Sequence, residues 1–275
     1  SNETPPLPAP APLTRRHWRL AAAWFAGALA LAWFGNGAHS LWDRDEPRYA
    51  VATREMITSG DWVVPTFNGG NRYDKPPLIY WLMSVPMRLW GVNEFSARAA
   101  SGLAGAAAVA LVFLFALRLG AAPRSAALAA LALLLSPIAL MIAKASTTDA
   151  TLTLAVAAAM FLHWEQGARG FAWWRHGLFW AVLGAAALLK GPPALAIVGL
   201  AIAAERLTRV YRGWREGRAG AEFARFPRGL GRFAAGLALF FALTLPWAIL
   251  AWRRTEGEYF QIAIRSEEHT SELQS

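Results

Sequence analysis

Five ionisable side chains crowd into six positions of "LWDRDEPRYAVATREM", Leu41 to Met56: Asp43, Arg44, Asp45, Glu46 and Arg48. An apolar run, "LAAAWFAGALALAWFGNGAHS", precedes them and is long enough to cross a bilayer. A carboxylate at such a place can act as a base, and an arginine beside it can hold an anion. Glu46 followed by Pro47 reads as an N-cap and first helical position. Tyr49, Ala52, Thr53 and Met56 then share one face, and Gly60 is a stop, which predicts a short amphipathic helix along the membrane surface. Capping accounts for Glu46; Asp45, the second adjacent acid, is left for chemistry.

Further on, "NRYDKPPLIYWL" places Asp74 and Lys75 before a Pro pair. A lysine there commonly snorkels towards water. Together, Arg48, Arg72 and Lys75 could hold a phosphate, the arginines by paired bonds and the lysine as a point charge. "AKASTTDATLT" and "ALLKGPPALA" bring Asp149 and Lys190 to helix ends, where an N-cap and a favourable C-terminal charge are the plain readings. No His pair has ligand spacing and there is no Cys, so no metal site is assigned; a Walker loop and a GxGxxG are absent too.

The elements that must position these groups are membrane helices. Of the 275 residues, 56% are hydrophobic and 14 are Trp, which fits a polytopic membrane protein. The net charge of +9 does not point to nucleic acid, because the basic residues sit between apolar runs, where they set orientation. Seven spans are expected: 18–37, 97–119, 125–143, 152–164, 178–189, 192–204 and 233–252, an all-α polytopic helix bundle with surface helices in its first loop. Arg15, Arg16 and Arg19, Arg118 and Arg124, Arg169 and Arg175, and the arginines from Arg206 to Arg232 all fall on one side, hence cytoplasmic. The 36–96 segment, the 144–149 turn and the 190–193 turn fall on the other, with Arg253 and Arg254 a minor exception to the charge rule. Residues 1–17 are expected to be a disordered cytoplasmic lead-in. Residues 18–264 form the transmembrane unit. "RSEEHTSELQS", 265–275, matches one reading frame of a common sequencing adapter and is set aside, so the natural chain is expected to continue past Ile264.

The motifs "RDEPRYA", "SGDWVVPTFNGG", "YDKPPLIYWL", "FSARAASGLAG", "ASTTDATLT", "LLKGPPA" and "LPWAIL" occur in that order. They closely resemble the N-terminal half of bacterial GT-C type membrane glycosyltransferases, in the branch related to protein mannosyltransferases and the 4-amino-4-deoxy-L-arabinose lipid A transferase. The resemblance implies transfer of a sugar from a polyprenyl (undecaprenyl) phosphate carrier to a lipid A-like glycolipid, glycan or protein acceptor on the periplasmic side of the inner membrane. It maps the catalytic carboxylate to Asp45 and places Arg48 and Lys75 around the donor phosphate. Glu46, Tyr49, Asp149 and Lys190 are assigned to substrate binding with them. Asp74 stands where the lipid A enzyme has Glu, which leaves a divalent metal at that position open. A single displacement with one carboxylate base inverts the anomeric carbon. The alternative is a sugar-lipid transporter or flippase, which would need ionisable residues well inside the spans.

Overall fold

The computed structural model describes residues 12–42, 45–215 and 226–262. Asp43, Arg44, lead-in residues 1–11, Arg218, Arg225 and the 265–275 tail lie outside the described residues.

Ten helices and one small hairpin follow in order among these residues. α1 (Arg15–Trp33) starts inside the expected lead-in, because Thr14 and His17 cap each other's backbone N–H at 3.3 Å. α2 (Asp45–Ser59) begins two residues earlier than expected, so Glu46 lies inside the helix and is not its cap. β1 (Thr66–Phe67) pairs antiparallel with β2 (Gly70–Asn71) across a tight turn in which Asn68 and Gly69 both take positive φ, 53° and 78°. The Glu55 carboxylate ties this hairpin to α2, accepting from Thr66 Oγ1 at 2.7 Å and Asn68 N at 2.8 Å. α3 (Leu78–Trp90) completes the cap of the bundle.

α4 (Glu94–Arg118) is the central helix and touches α1, α3, α5, α6 and α7. Its small residues allow that approach: Gly102 lies against the Trp33 ring and Gly105 against Ala143. At 25 residues it is about 37 Å long, enough to cross a hydrocarbon core of about 30 Å. The expected third span is in fact two pieces, α5 (Pro123–Leu134) and α6 (Pro137–Ala143), bent by 64°. Pro137 is the cause: the residue before a proline is pushed out of the helical region, and Ser136 has ψ 122°.

α7 (Asp149–Arg169), α8 (Trp173–Lys190), α9 (Pro192–Arg215) and α10 (Phe226–Thr255) close the bundle. Among the described residues only α4 and 229–255 are long and apolar enough to cross a membrane unaided, with mean hydropathies of 2.2 and 2.1; the bent α5–α6 pair makes a third if it is one span. The other expected spans, at 19, 21, 18 and 24 residues in α1, α7, α8 and α9, reach crossing length only with charged ends included. Within the bundle, Glu165 of α7 is held by Arg118 of α4 in a buried ion pair, with Arg118 Nη2 3.0 Å from Glu165 Oε2. Exposed Trp18, Trp173, Trp174 and Trp214 ring one end of the bundle, and Trp42, Trp90 and Trp252 ring the other, as interfacial aromatics do.

The first end carries the arginines of α1, α9 and the turn after α7. The second is covered by α2, the hairpin and α3, which bury Tyr49, Met56, Ile79, Tyr80 and Met83 against Ala97, Ala186 and Leu189 of the spans. Arg254 reaches Asp61 there at 2.6 Å, which puts the end of α10 on the side expected for it.

Candidate active-site cleft

α2 and the 71–75 segment form the two walls of an open cleft of about 590 Å³, within the size range of small-ligand sites. α2 contributes Asp45, Arg48 and Tyr49, which are neighbours because residues three and four apart share a helix face. The facing segment, which bends just before the Pro76–Pro77 pair that leads into α3, contributes Arg72, Asp74 and Lys75.

Three cations meet two carboxylates in this cleft, so it is net positive. Arg72 is the fixed cation. It is 8% exposed, donates from Nε to Tyr80 OH at 3.1 Å and from Nη2 to Asp74 Oδ2 at 2.6 Å, and lies 5.3 Å over the Tyr49 ring. Burial works against its charge; the Tyr80 hydroxyl and Asp74 more than offset this and raise its pKa. Lys75 Nζ lies 3.2 Å from Asp74 Oδ1. Asp74 is therefore clasped by two cations. Among the described residues no three His, Asp or Glu side chains gather where a metal ion could sit.

Burial pushes the Tyr80 hydroxyl up to about 12 and also raises that of Tyr49, so both remain hydrogen-bond donors at neutral pH. Asp45 and Arg48 are the loose pair, Oδ1 to Nη1 at 3.8 Å with both side chains about half exposed. A ligand can separate them at little cost, since exposed pairs of this kind contribute about 0–1 kcal/mol.

Glu46 does not face the cleft. Successive helical residues point about 100° apart, so Asp45 looks outward while Glu46 turns into the bundle. There its Oε1 accepts from Arg98 Nε at 2.9 Å and Ser146 N at 2.6 Å, and its Oε2 from Arg98 Nη2 at 2.7 Å and Trp42 N at 2.6 Å. Arg98 gives its other bonds to the carbonyls of Asn36, His39 and Ser40 at 2.8–3.0 Å, so all five of its N–H donors are used. Burial raises the Glu46 pKa, but Arg98 and the two backbone N–H groups outweigh it, and the net shift is down. Glu46, expected among the substrate-binding residues, thus stands apart from the cleft in a clamp that joins α2, α4, the 36–42 segment and the α6–α7 turn.

Asp149 and Lys190 sit at the same end of the bundle but are not among the cleft-lining residues. They pair with each other at 2.7 Å, Thr147 Oγ1 adds a 3.2 Å bond to Asp149 Oδ2, and the cap of α7 is Thr148, not Asp149. Lys144 is also at this end, donating to the Phe34 carbonyl at 2.7 Å.

A polytopic helical bundle of the GT-C type is the class that this fold and site define. The chain belongs to the dolichyl-phosphate-mannose-protein mannosyltransferase family, whose pattern matches residues 19–255. It is similar to undecaprenyl phosphate-alpha-4-amino-4-deoxy-L-arabinose arabinosyl transferases. The one from Aeromonas hydrophila subsp. hydrophila is 39% identical over 160 residues, 57% of this chain and 29% of the relative. That from Pseudomonas savastanoi pv. phaseolicola is 32% identical over 246 residues, 86% of this chain and 43% of the relative. Crystal structures of ArnT from Cupriavidus metallidurans superpose with TM-scores of 0.75 in the apo state and 0.72 bound to undecaprenyl phosphate. Their identities are 28% and 29%; they cover 90% and 88% of this chain, which spans 44% and 42% of theirs. The chain thus spans less than half the length of these relatives. The resemblance seen in the sequence motifs is borne out.

Proposed function

We propose that the protein is a membrane glycosyltransferase that moves a sugar from a polyprenyl-phosphate carrier to an acceptor hydroxyl or amine. The observation that carries this reading is the sharing of one cleft by a half-exposed carboxylate, Asp45, and three cations, Arg48, Arg72 and Lys75. A solved relative named as bound to undecaprenyl phosphate supports the class of donor.

In this mechanism the acceptor heteroatom attacks the anomeric carbon, its bond to that carbon forms, and the bond from carbon to the phosphate oxygen breaks. Asp45 takes the acceptor's proton. The electron pair leaves with polyprenyl phosphate, whose growing charge the buried Arg72 and the adjacent Lys75 and Arg48 stabilise, so no strong general acid is needed. One displacement inverts the anomeric centre. The cleft then lies at the periplasmic headgroup level of a bacterial inner membrane, and the arginine-rich end with the N-terminus lies in the cytoplasm. Asp149 and Lys190, beside the cleft rather than in it, would meet a larger substrate once it is seated. The acceptor is a lipid A-like glycolipid, a glycan or a protein.

The test is Asp45→Asn in the membrane-embedded protein. Transfer from a polyprenyl-phosphate sugar should fall by at least about 100-fold, the lower end of what a general base contributes, with helical content unchanged. Near-normal turnover would remove Asp45 from the mechanism, and movement of the lipid-linked sugar without transfer would support the transport reading.

A further inference from the structure

The last ten residues of α9, Arg206 to Arg215, lie at the far end of the molecule from the cleft and play no part in it. At 3.6 residues per turn, Leu207, Val210, Tyr211 and Trp214 fall within an arc of about 100°, while Arg206, Arg209, Arg212 and Arg215 occupy the opposite half of the helix. Neither face is covered: Leu207, Tyr211 and Trp214 are 70%, 59% and 71% exposed, and all four arginines are exposed. His163 on α7 bonds Glu205 at 2.7 Å, and the Arg209 guanidinium lies beside Gly167 of α7, which sets the two helices level. α7 ends at Arg169, so α9 runs on about four residues, or roughly 6 Å, beyond it.

Among the described residues, acidic neighbours do not neutralise this end. Glu205 is shared by Arg209 and His163, and Glu165 by Arg118 and Arg169. Among the described residues, Arg206, Arg212 and Arg215 have no carboxylate partner. A favourable position at a helix C-terminus would account for Arg212 and Arg215, but not for the segregation of four arginines from four apolar side chains. Exposed Trp173 and Trp174 at the start of α8 mark the interface at the same end.

We propose that this end of α9 is a binding site for anionic phospholipid headgroups: Leu207, Tyr211 and Trp214 enter the acyl boundary, and Arg206, Arg212 and Arg215 hold the headgroup phosphates. Charge complementarity selects the occupant. A free acidic protein or a nucleic acid would leave the apolar arc in water, whereas the leaflet covers both halves at once. The site would tether the bundle to one leaflet independently of any chemistry in the cleft.

The test is lipid retention by the purified chain, reconstituted in nanodiscs of equimolar phosphatidylglycerol and phosphatidylcholine and read by native mass spectrometry. The chain should enrich phosphatidylglycerol, and 0.5 M salt should weaken the enrichment. Arg206→Gln/Arg212→Gln/Arg215→Gln should cut the preference at least about ten-fold, because each arginine near an anionic surface contributes about five-fold. The matching triple Lys variant should keep most of it. Equal retention of both lipids by the wild type, or an unchanged preference in the Gln variant with helical content intact, overturns the proposal. The first of these outcomes would leave this face to a protein partner.

Discussion

Replacing Arg98 should do more damage than its distance from the cleft suggests. Arg98→Leu leaves the Glu46 carboxylate buried, 4% exposed, with only the N–H groups of Trp42 and Ser146, and strips the carbonyls of Asn36, His39 and Ser40 of their donor. Removing one partner of a buried pair costs about 3–5 kcal/mol, because the other charge is stranded. Arg98→Leu/Glu46→Leu strands no charge, so the double variant should lose about as much as either single one, not their sum of about 6–10 kcal/mol. The coupling can be read from unfolding in mixed micelles, followed by the fluorescence of the 14 Trp.

The sign of the pH dependence should also invert. In the wild type the lowered Glu46 pKa contributes stability that is complete above the unfolded value of about 4.3 and is lost as pH falls through the folded one. Without Arg98, burial dominates and the folded pKa is raised. The Arg98→Leu variant should then be destabilised at neutral pH and regain stability as pH falls from 7 towards 5. Additive losses in the cycle, or no recovery in mild acid, would refute the description of Glu46 and Arg98 as one clamp.

Lys75→Ala should weaken donor binding and raise the apparent KM for the lipid-linked sugar, and an unchanged KM would count against Lys75 as a phosphate ligand. Gly105→Ala puts a methyl 2.7 Å from the Ala143 side chain at the α4–α6 crossing. It should cost about 1–3 kcal/mol in the same unfolding assay, and a neutral effect would show that α6 can shift. Asp74→Asn should loosen Arg72 and Lys75 together, because that one carboxylate clasps both. Its effect on donor KM should therefore be non-additive with that of Lys75→Ala, and simple additivity would separate the two residues.

Much of this organisation was legible from the chain alone. Apolar runs located the helices because a bilayer demands about 20 such residues, and the arginine pattern sorted the ends of the bundle consistently. Boundaries failed where polar residues continue a helix: α9 was expected to stop at Ala204 and runs to Arg215, since arginine is a good helix former that apolarity does not register. Ser136–Pro137 signalled the break between α5 and α6, and Asn68–Gly69 the hairpin, through rules of local chemistry that a search for spans passes over.

Within the site, the "DE" and "KPP" motifs led to Asp45, Arg48, Tyr49 and Lys75, which the fold brings into one cleft. The bond of Glu46 to Arg98 was not foreseen because the two are 52 residues apart, and such pairings leave no local trace. Two signals were nonetheless present: adjacent helical residues point apart, and an arginine among the small residues of "FSARAASGLAG" needs a buried counter-charge. Asp149 and Lys190 lie 41 residues apart, yet the fold joins them to each other rather than to the cleft.

The most direct test of the donor assignment is a structure of the membrane-embedded protein with undecaprenyl phosphate bound. The phosphate is predicted between Arg48, Arg72 and Lys75, with the Arg48–Asp45 contact opened and Asp45 facing the free side. A phosphate held instead by Lys144 or Lys190, with the α2 cleft empty, would contradict the account.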